Sequence, residues 1–293
     1  MVGKGGFVER NLKYIFPLPA VIFVVILMIF PVLYTLFISF TDWSLTSGRP
    51  MRFVGFETYA RVLSGSRFQA AVGRTLTFTF WAVAGQAVLG TIIALVLHRE
   101  FVGRGVLKFI LLLPLVATPV AVGTVFTLFY DPTIGFLNFV LDYFGMPQSG
   151  WVTNARTVMP SLILVDIWQW TPMVSLIVLA GLAGMPTEPF ESAMVDGANS
   201  VQTFFRITLP MIAPTILTAV VLRAVDALKT YDIIYSMTTG GPGFASETLN
   251  ILAYKISFEF FQMGQASVVL VFLFMLVMFF SLGIMQLRKK FEV

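Results

Sequence analysis

The stretch E-S-A-M-V-D-G-A-N-S-V-Q-T-F-F-R-I-T-L-P, residues 191–210, is a short polar insert between two long apolar runs. A helix that crosses a bilayer needs about 20 mainly apolar residues. The runs on either side, 158–182 and 210–233, meet that length. Further out, 14–40, 75–97, 106–129 and 265–287 qualify as well. The pattern predicts an all-α polytopic membrane protein with six transmembrane helices in a single transmembrane domain, 1–293. The first stretch is long and contains Pro31, so a tilt or kink is expected there. Lys4, Arg10 and Lys13 precede it as in a secretory signal. The apolar run is too long for one and lacks an A-x-A cleavage pattern, so it reads as a retained first helix.

The composition agrees. Of the 293 residues, 57% are hydrophobic and only 12% charged, where a soluble domain carries about 25% charged residues. The net charge of +4 follows from basic residues at helix ends and does not point to nucleic acid. There is no cysteine, which excludes disulfides, thiol nucleophiles and thiolate metal sites. A single histidine, His98, supports neither a multi-histidine metal site nor a proton-relay chain. No G-x-x-x-x-G-K-[ST] loop is present, so any ATP used is expected on another subunit.

Lysine and arginine placement gives an orientation. With the N-terminus inside, Lys4, Arg10, Lys13, Arg99, Arg104, Lys108, Arg206, Arg288, Lys289 and Lys290 fall on one side. Arg49, Arg52, Arg61, Arg67, Arg74, Arg156 and Lys255 fall on the other. The rule favours cytoplasmic N- and C-termini, as an even helix count requires. The outer segments 41–74, 130–157 and 234–264 are then expected to hold interfacial helices and aromatic belts, or a docking surface for an external partner.

Within the insert, Thr187 is placed to cap a short helix, with Pro189 in its first turn. Glu188 and Glu191 sit where the helix dipole favours acids. Phe190, Ala193, Met194 and Gly197 follow i, i+3, i+4, i+7 spacing and are expected on one face. Gly197 suits the end of that helix. Asn199 with Gln202 forms a variant capping box for a second short helix, and Pro210 is expected to open the fifth membrane helix. Two readings are open for the apolar face: burial of Phe190 and Met194 against the chain's own helices, or docking of a partner.

The spacing resembles the "EAA" signature, E-A-A-x3-G-x9-I-x-L-P, of the permease subunits of bacterial ATP-binding-cassette importers. Glu191, Ala193, Gly197, Ile207, Leu209 and Pro210 match it, and Ser192 departs from it by a small-for-small change. The resemblance extends to F-V-G-F-E-T-Y-A-R-V-L at 53–63, I-W-Q-W-T-P at 167–172, L-A-G-L-A-G-M-P at 179–186 and T-T-G-G-P-G-F-A-S-E-T-L at 238–249. These segments resemble carbohydrate-importer permeases of the maltose type. The resemblance implies that the 187–210 hairpin couples to a cytoplasmic ATPase through Phe190, Glu191, Ser192, Ala193, Met194, Asp196 and Gly197. It implies a second related permease, two ATPase subunits that bind ATP and magnesium, and an extracytoplasmic sugar-binding protein. It implies a bacterial cytoplasmic (inner) membrane location among lipid, with no cofactor or metal held by this chain.

Two polar groups interrupt the apolar helices. Arg223, Asp226, Lys229 and Asp232 alternate in sign at intervals of three. Neighbours at that spacing can pair, which lowers the cost of placing charge in a membrane. Each step of three falls short of a full turn, so the ladder winds around the helix, its ends face opposite ways, and the four residues are not expected to line one pore together. It is either a structural ladder or a wall in which Asp226 and Lys229 meet a hydrated sugar path. Asp166 and Gln169 share one side of the fourth helix and are further pathway candidates, beside Trp168 and Trp170. An ion-coupled secondary transporter using Asp166 or Asp226, an importer of polyols or glycerol phosphates, and a membrane enzyme are the competing classes.

Overall fold

Prolines decide where the long helices change character. The computed structural model describes residues 13–14 and 16–289, without the side chains of 285 and 287–289. Lys4, Arg10 and Lys290, which bear on the orientation, lie outside the described residues, and the side chains of Arg288 and Lys289 do too. Helix α1 runs Leu18–Ile38 as one 21-residue span and contains a π-helical turn at Val25–Ile29. Pro31 lies two residues beyond this turn. A proline ring crowds the carbonyl four residues earlier, here Leu27, and the widened turn surrounds that residue.

The described residues form two compact units. The first holds the described residues up to 65 together with 253–272. In it α1 leads to an isolated antiparallel bridge, Thr41 with Phe53, and to α2, Glu57–Leu63. Phe40 packs against the rings of Phe53, Phe56 and Tyr59, and Ser39 Oγ lies 2.7 Å from the Tyr59 hydroxyl. Leu45 N–H donates to the Phe261 carbonyl at 3.0 Å, and Gly264 N–H to that of Trp43 at 2.9 Å. The apolar side chains of α1 are almost all exposed.

The second unit, residues 66–252 and the described residues from 273 onward, carries the elements of interest. Helix α3, Ser66–His98, has 33 residues and starts nine residues before the expected span. Phe68, Ala71, Thr75 and Phe78 continue its buried stripe to the N-terminal end. The expected outer segment 41–74 is shorter for that reason. The expected third span is broken into α4, Arg104–Val116, and α5, Pro119–Phe129, bent by 100°. A residue before proline avoids the helical region. Thr118 accordingly has ψ 144°, and its hydroxyl accepts the Ala121 N–H at 3.4 Å to cap α5. Helix α6 is Phe136–Tyr143 and α7 is Val158–Ala183. Among the described residues five helices are long and apolar enough to cross a membrane, and the bent pair counted as one span makes six.

In lipid, helix association rests on close packing by small residues more than on the hydrophobic effect. Helices α3 and α7 pack closely against each other. A Cβ placed on Gly90 would lie 2.8 Å from Val174 Cβ, and one on Gly181 would lie 2.7 Å from the Thr215 methyl. The apolar core around these contacts includes Ala94, Leu97, Val174, Val178, Leu182, Ile212 and Ala219.

At the opposite end of α3, two arginines hold the 238–249 loop. Arg67 makes a bidentate pair with Glu247, at 2.8 and 2.6 Å, and the Glu247 side chain is fully buried. Arg74 Nε donates to the Glu247 carbonyl at 2.7 Å. Thr75 Oγ1 accepts the Leu249 N–H at 2.9 Å. Both half-buried arginines therefore belong to a clamp on a helix, in a stretch that the sequence assigns to an outer segment.

Candidate functional site

The insert folds as a helical hairpin. Helix α8, Glu188–Val195, has Glu188 and Glu191 in its first turn. Thr187 occupies the capping position, but its side chain makes no capping bond, contrary to the expectation. Its carbonyl instead accepts from Phe190 and Glu191 N–H. The other end closes by a Schellman pair: Ala198 N–H donates to Ala193 O at 2.9 Å and Gly197 N–H to Met194 O at 3.2 Å. Gly197 has φ +73°, the left-handed conformation that this closure needs and that glycine adopts without strain. The Asn199–Gln202 capping box forms in both directions, at 2.9 Å each.

The expected second short helix is not a separate element. Ser200–Leu228 is one helix of 29 residues, α9, with a π-helical turn at Phe204–Thr208. Pro210 does not open it. That proline crowds the carbonyl of Arg206, at the centre of the wide turn, as Pro31 does in α1. The hairpin's second arm and the adjoining membrane helix are thus one rod.

The hairpin's faces also differ from the expected grouping. Phe190 and Met194 line a groove of about 1020 Å³ with Leu95, His98, Leu182 and Phe205. Ser192, Ala193, Asp196 and Gly197 line a separate cleft of about 490 Å³ with Gln202 and Arg206. Phe190 is half-buried and Glu191 exposed. Met194 is 78% exposed and Val195 88%, so Met194 is not packed against the chain's own helices. Val201 and Phe205 extend this exposed apolar surface along α9.

The polar residues of the membrane helices converge elsewhere. Asp166 on α7 accepts from Arg223 Nη2 on α9 at 3.0 Å and from Gln86 Nε2 on α3 at 2.7 Å. Arg223 Nε donates to Gln86 Oε1 at 2.9 Å, and the guanidinium lies 4.8 Å from the centre of the Trp170 ring. All three polar side chains are buried. Each partner lowers the cost of the others, since an isolated ion in a membrane helix is expensive. Gln169 Nε2 donates to the Ala117 carbonyl at 3.3 Å, a backbone group freed by the α4–α5 break. Trp168 packs edge-on against Phe126.

Asp166, Gln169, Trp170 and Arg223 border a cavity of about 240 Å³, which Asp226, Lys229, Tyr231 and Asp232 also line. All four predicted pathway residues, Asp166, Gln169, Asp226 and Lys229, are brought together there. The winding expected of the charge ladder does not occur, because α9 ends at Leu228 and α10, Asp232–Thr238, starts anew. The break lets Arg223, Asp226, Lys229 and Asp232 border one cavity. Lys229 pairs with Asp226 at 3.5 Å, both half-exposed, whereas Arg223 pairs across helices with Asp166. Gln86 escaped the sequence reading, although a lone amide inside an apolar helix was a signal. Among the described residues no group of acidic and histidine side chains is arranged to hold a metal.

The fold is that of importer permeases. A transmembrane chain of a bacterial ABC transporter for the acidic polysaccharide alginate superposes with a TM-score of 0.83 at 22% identity, over 97% of each chain. The model of the binding-protein-dependent transport system inner membrane component family matches residues 86–290, and the chain belongs to that family. It is 33% identical over 290 residues to the trehalose/maltose transport system permease protein MalF of Thermococcus litoralis, covering 99% of this chain and 97% of that protein. It is 32% identical over 270 residues to the sulfoquinovosyl glycerol transport system permease protein SmoG of Agrobacterium fabrum, covering 92% and 88% respectively. The chain is a multi-pass membrane protein and a transporter subunit rather than an enzyme.

Proposed function

We propose that this chain forms half of the translocation pathway of an ATP-driven carbohydrate importer. Family membership and relatives named for disaccharide transport support the class. The observation that carries the mechanism is the continuity of α9. It runs unbroken from the hairpin's capping box to the cavity wall at Arg223. The rise from Ser200 to Arg223 spans about 35 Å at 1.5 Å per residue. A displacement at the hairpin therefore reaches the cavity without crossing a flexible joint.

In this reading the importer also contains a second, related permease, two cytoplasmic ATPase subunits and an extracytoplasmic sugar-binding protein. It lies in the bacterial cytoplasmic membrane with both termini of this chain in the cytoplasm. ATP and magnesium are bound by the ATPase subunits. Phe190, Met194 and Val195 offer apolar contact to an ATPase, with Glu191, Ser192, Ala193, Asp196 and Gly197 completing the docking surface. Closure of the ATPase pair moves the hairpin, and α9 carries the motion to Asp166, Gln169, Asp226 and Lys229 on the sugar path. Coupling requires that the hairpin be seated differently in the two states. Glu191→Lys and Gly197→Asp should each abolish sugar-stimulated ATP hydrolysis by the assembled importer while the permease still inserts and purifies. Full stimulation in both variants would refute the coupling role.

A further inference from the structure

We propose that the polar cavity selects neutral, polyhydroxylated solutes and rejects anionic ones. This rests on the carbohydrate-importer reading and narrows its substrate class. The family alone does not choose, since its relatives and structural neighbours include transporters of a neutral disaccharide and of an acidic polysaccharide.

The charges on the cavity wall carry the inference. Arg223 is paired with Asp166 at 3.0 Å and Lys229 with Asp226 at 3.5 Å. Asp232 adds a further carboxylate, so three carboxylates and two cations border the space. Both cations already have a carboxylate partner. An entering carboxylate, sulfonate or phosphate would give up its water and find no uncommitted cation, against a wall with surplus negative charge. Rejection by an unpaired charge is an effective route to specificity.

A second observation gives the ligand its chemistry. Asp166 Oδ1 and Gln169 Oε1 are buried acceptors without a hydrogen-bond partner. Both residues are 1% exposed and line this cavity. An unfilled buried acceptor calls for a donor. A sugar hydroxyl donates, whereas an ionised carboxylate only accepts. Trp170 and Tyr231 add flat apolar surface to the same wall, which suits the C–H faces of a sugar ring. The volume is below the roughly 300–1,000 Å³ of drug-sized ligand pockets, so this chain holds one part of the solute and the second permease the rest.

The test uses the permease pair with its ATPase subunits in lipid nanodiscs, without the binding protein, so that no external filter intervenes. Maltose, trehalose, digalacturonate and glycerol 3-phosphate are the probes, and the unfolding temperature of the complex is the readout. The neutral sugars should raise it and the anionic probes should not. Asp226→Asn, which leaves Lys229 without its carboxylate, should raise the response to the anionic probes relative to the neutral ones. Equal responses to both classes in the unaltered complex would overturn the selectivity, and so would an unchanged ratio in the variant. No response to any probe would overturn the assignment of the cavity. The importer reading is judged apart from this, by ATP-dependent sugar uptake into vesicles that hold the complete importer with its binding protein.

Discussion

Arg223 and Asp166 are each 1% exposed, and every bond they make lies within one three-helix knot with Gln86. Removing one member of such a pair strands the other, which typically costs about 3–5 kcal/mol, while replacing both is far less damaging. Arg223→Met should therefore lower the unfolding temperature of the purified permease sharply. Asp166→Asn combined with Arg223→Met should recover much of the loss, and a double variant less stable than Arg223→Met would show that the pair is not the source of the cost. The sequence displayed Arg223 and Asp166 but not their meeting. They are 57 residues apart, and the nearest opposite charge along the chain, Asp226, was the partner that local spacing suggested. Gln86 was harder to see, because its role exists only once three helices have packed.

The elements were legible to different degrees for a common reason. Apolar length marks a span whatever its neighbours do, so α1, α3, α7, α9 and the last helix, α11 (Met263–Lys289), fall where the runs predict. The ends and breaks depend on proline, whose effect is conditional. Pro119 with Pro114 breaks one span by 100°. Pro210, read as a helix start, is absorbed by a wide turn inside one, since membrane helices readmit freed backbone groups by local π adjustment. Close packing gives a sharper expectation. Gly90 faces Val174 Cβ and the Ser175 N–H at 2.8 and 3.1 Å from the position of an added Cβ, and neither neighbour is a flexible side-chain end. Gly90→Val should destabilise the permease by about 1–3 kcal/mol through overpacking. Gly73→Ala on the same helix, where an added Cβ meets nothing, should leave the unfolding temperature nearly unchanged. Equal effects of the two would contradict the close α3–α7 contact.

For the whole molecule, the decisive relation is between the hairpin and the cavity at opposite ends of α9. If the rod transmits motion, its stiffness matters more than its sequence. Two glycines inserted between Thr203 and Phe204 should leave docking of the ATPase intact and cut sugar-stimulated hydrolysis at least tenfold. Glycine costs helix stability and permits bending. An insertion variant with normal stimulation would show that coupling takes another route. The candidate coupling residues were legible because they are a local pattern, set by spacing along 20 residues. The cavity was only half legible, because its wall is assembled from α5, α7, α9 and α10 and from the interruption after Leu228.

The clamp of Arg67, Arg74 and Thr75 on the 238–249 loop has a kinematic consequence. Bonds to Glu247 and Leu249, spread over more than two turns of α3, leave that loop no independent hinge. Whatever presses on it must carry α3 along, and α3 also bears Gln86. A load applied at the loop is thereby registered at the buried knot, so this end of the molecule behaves as a handle fixed to its shaft rather than as a flap.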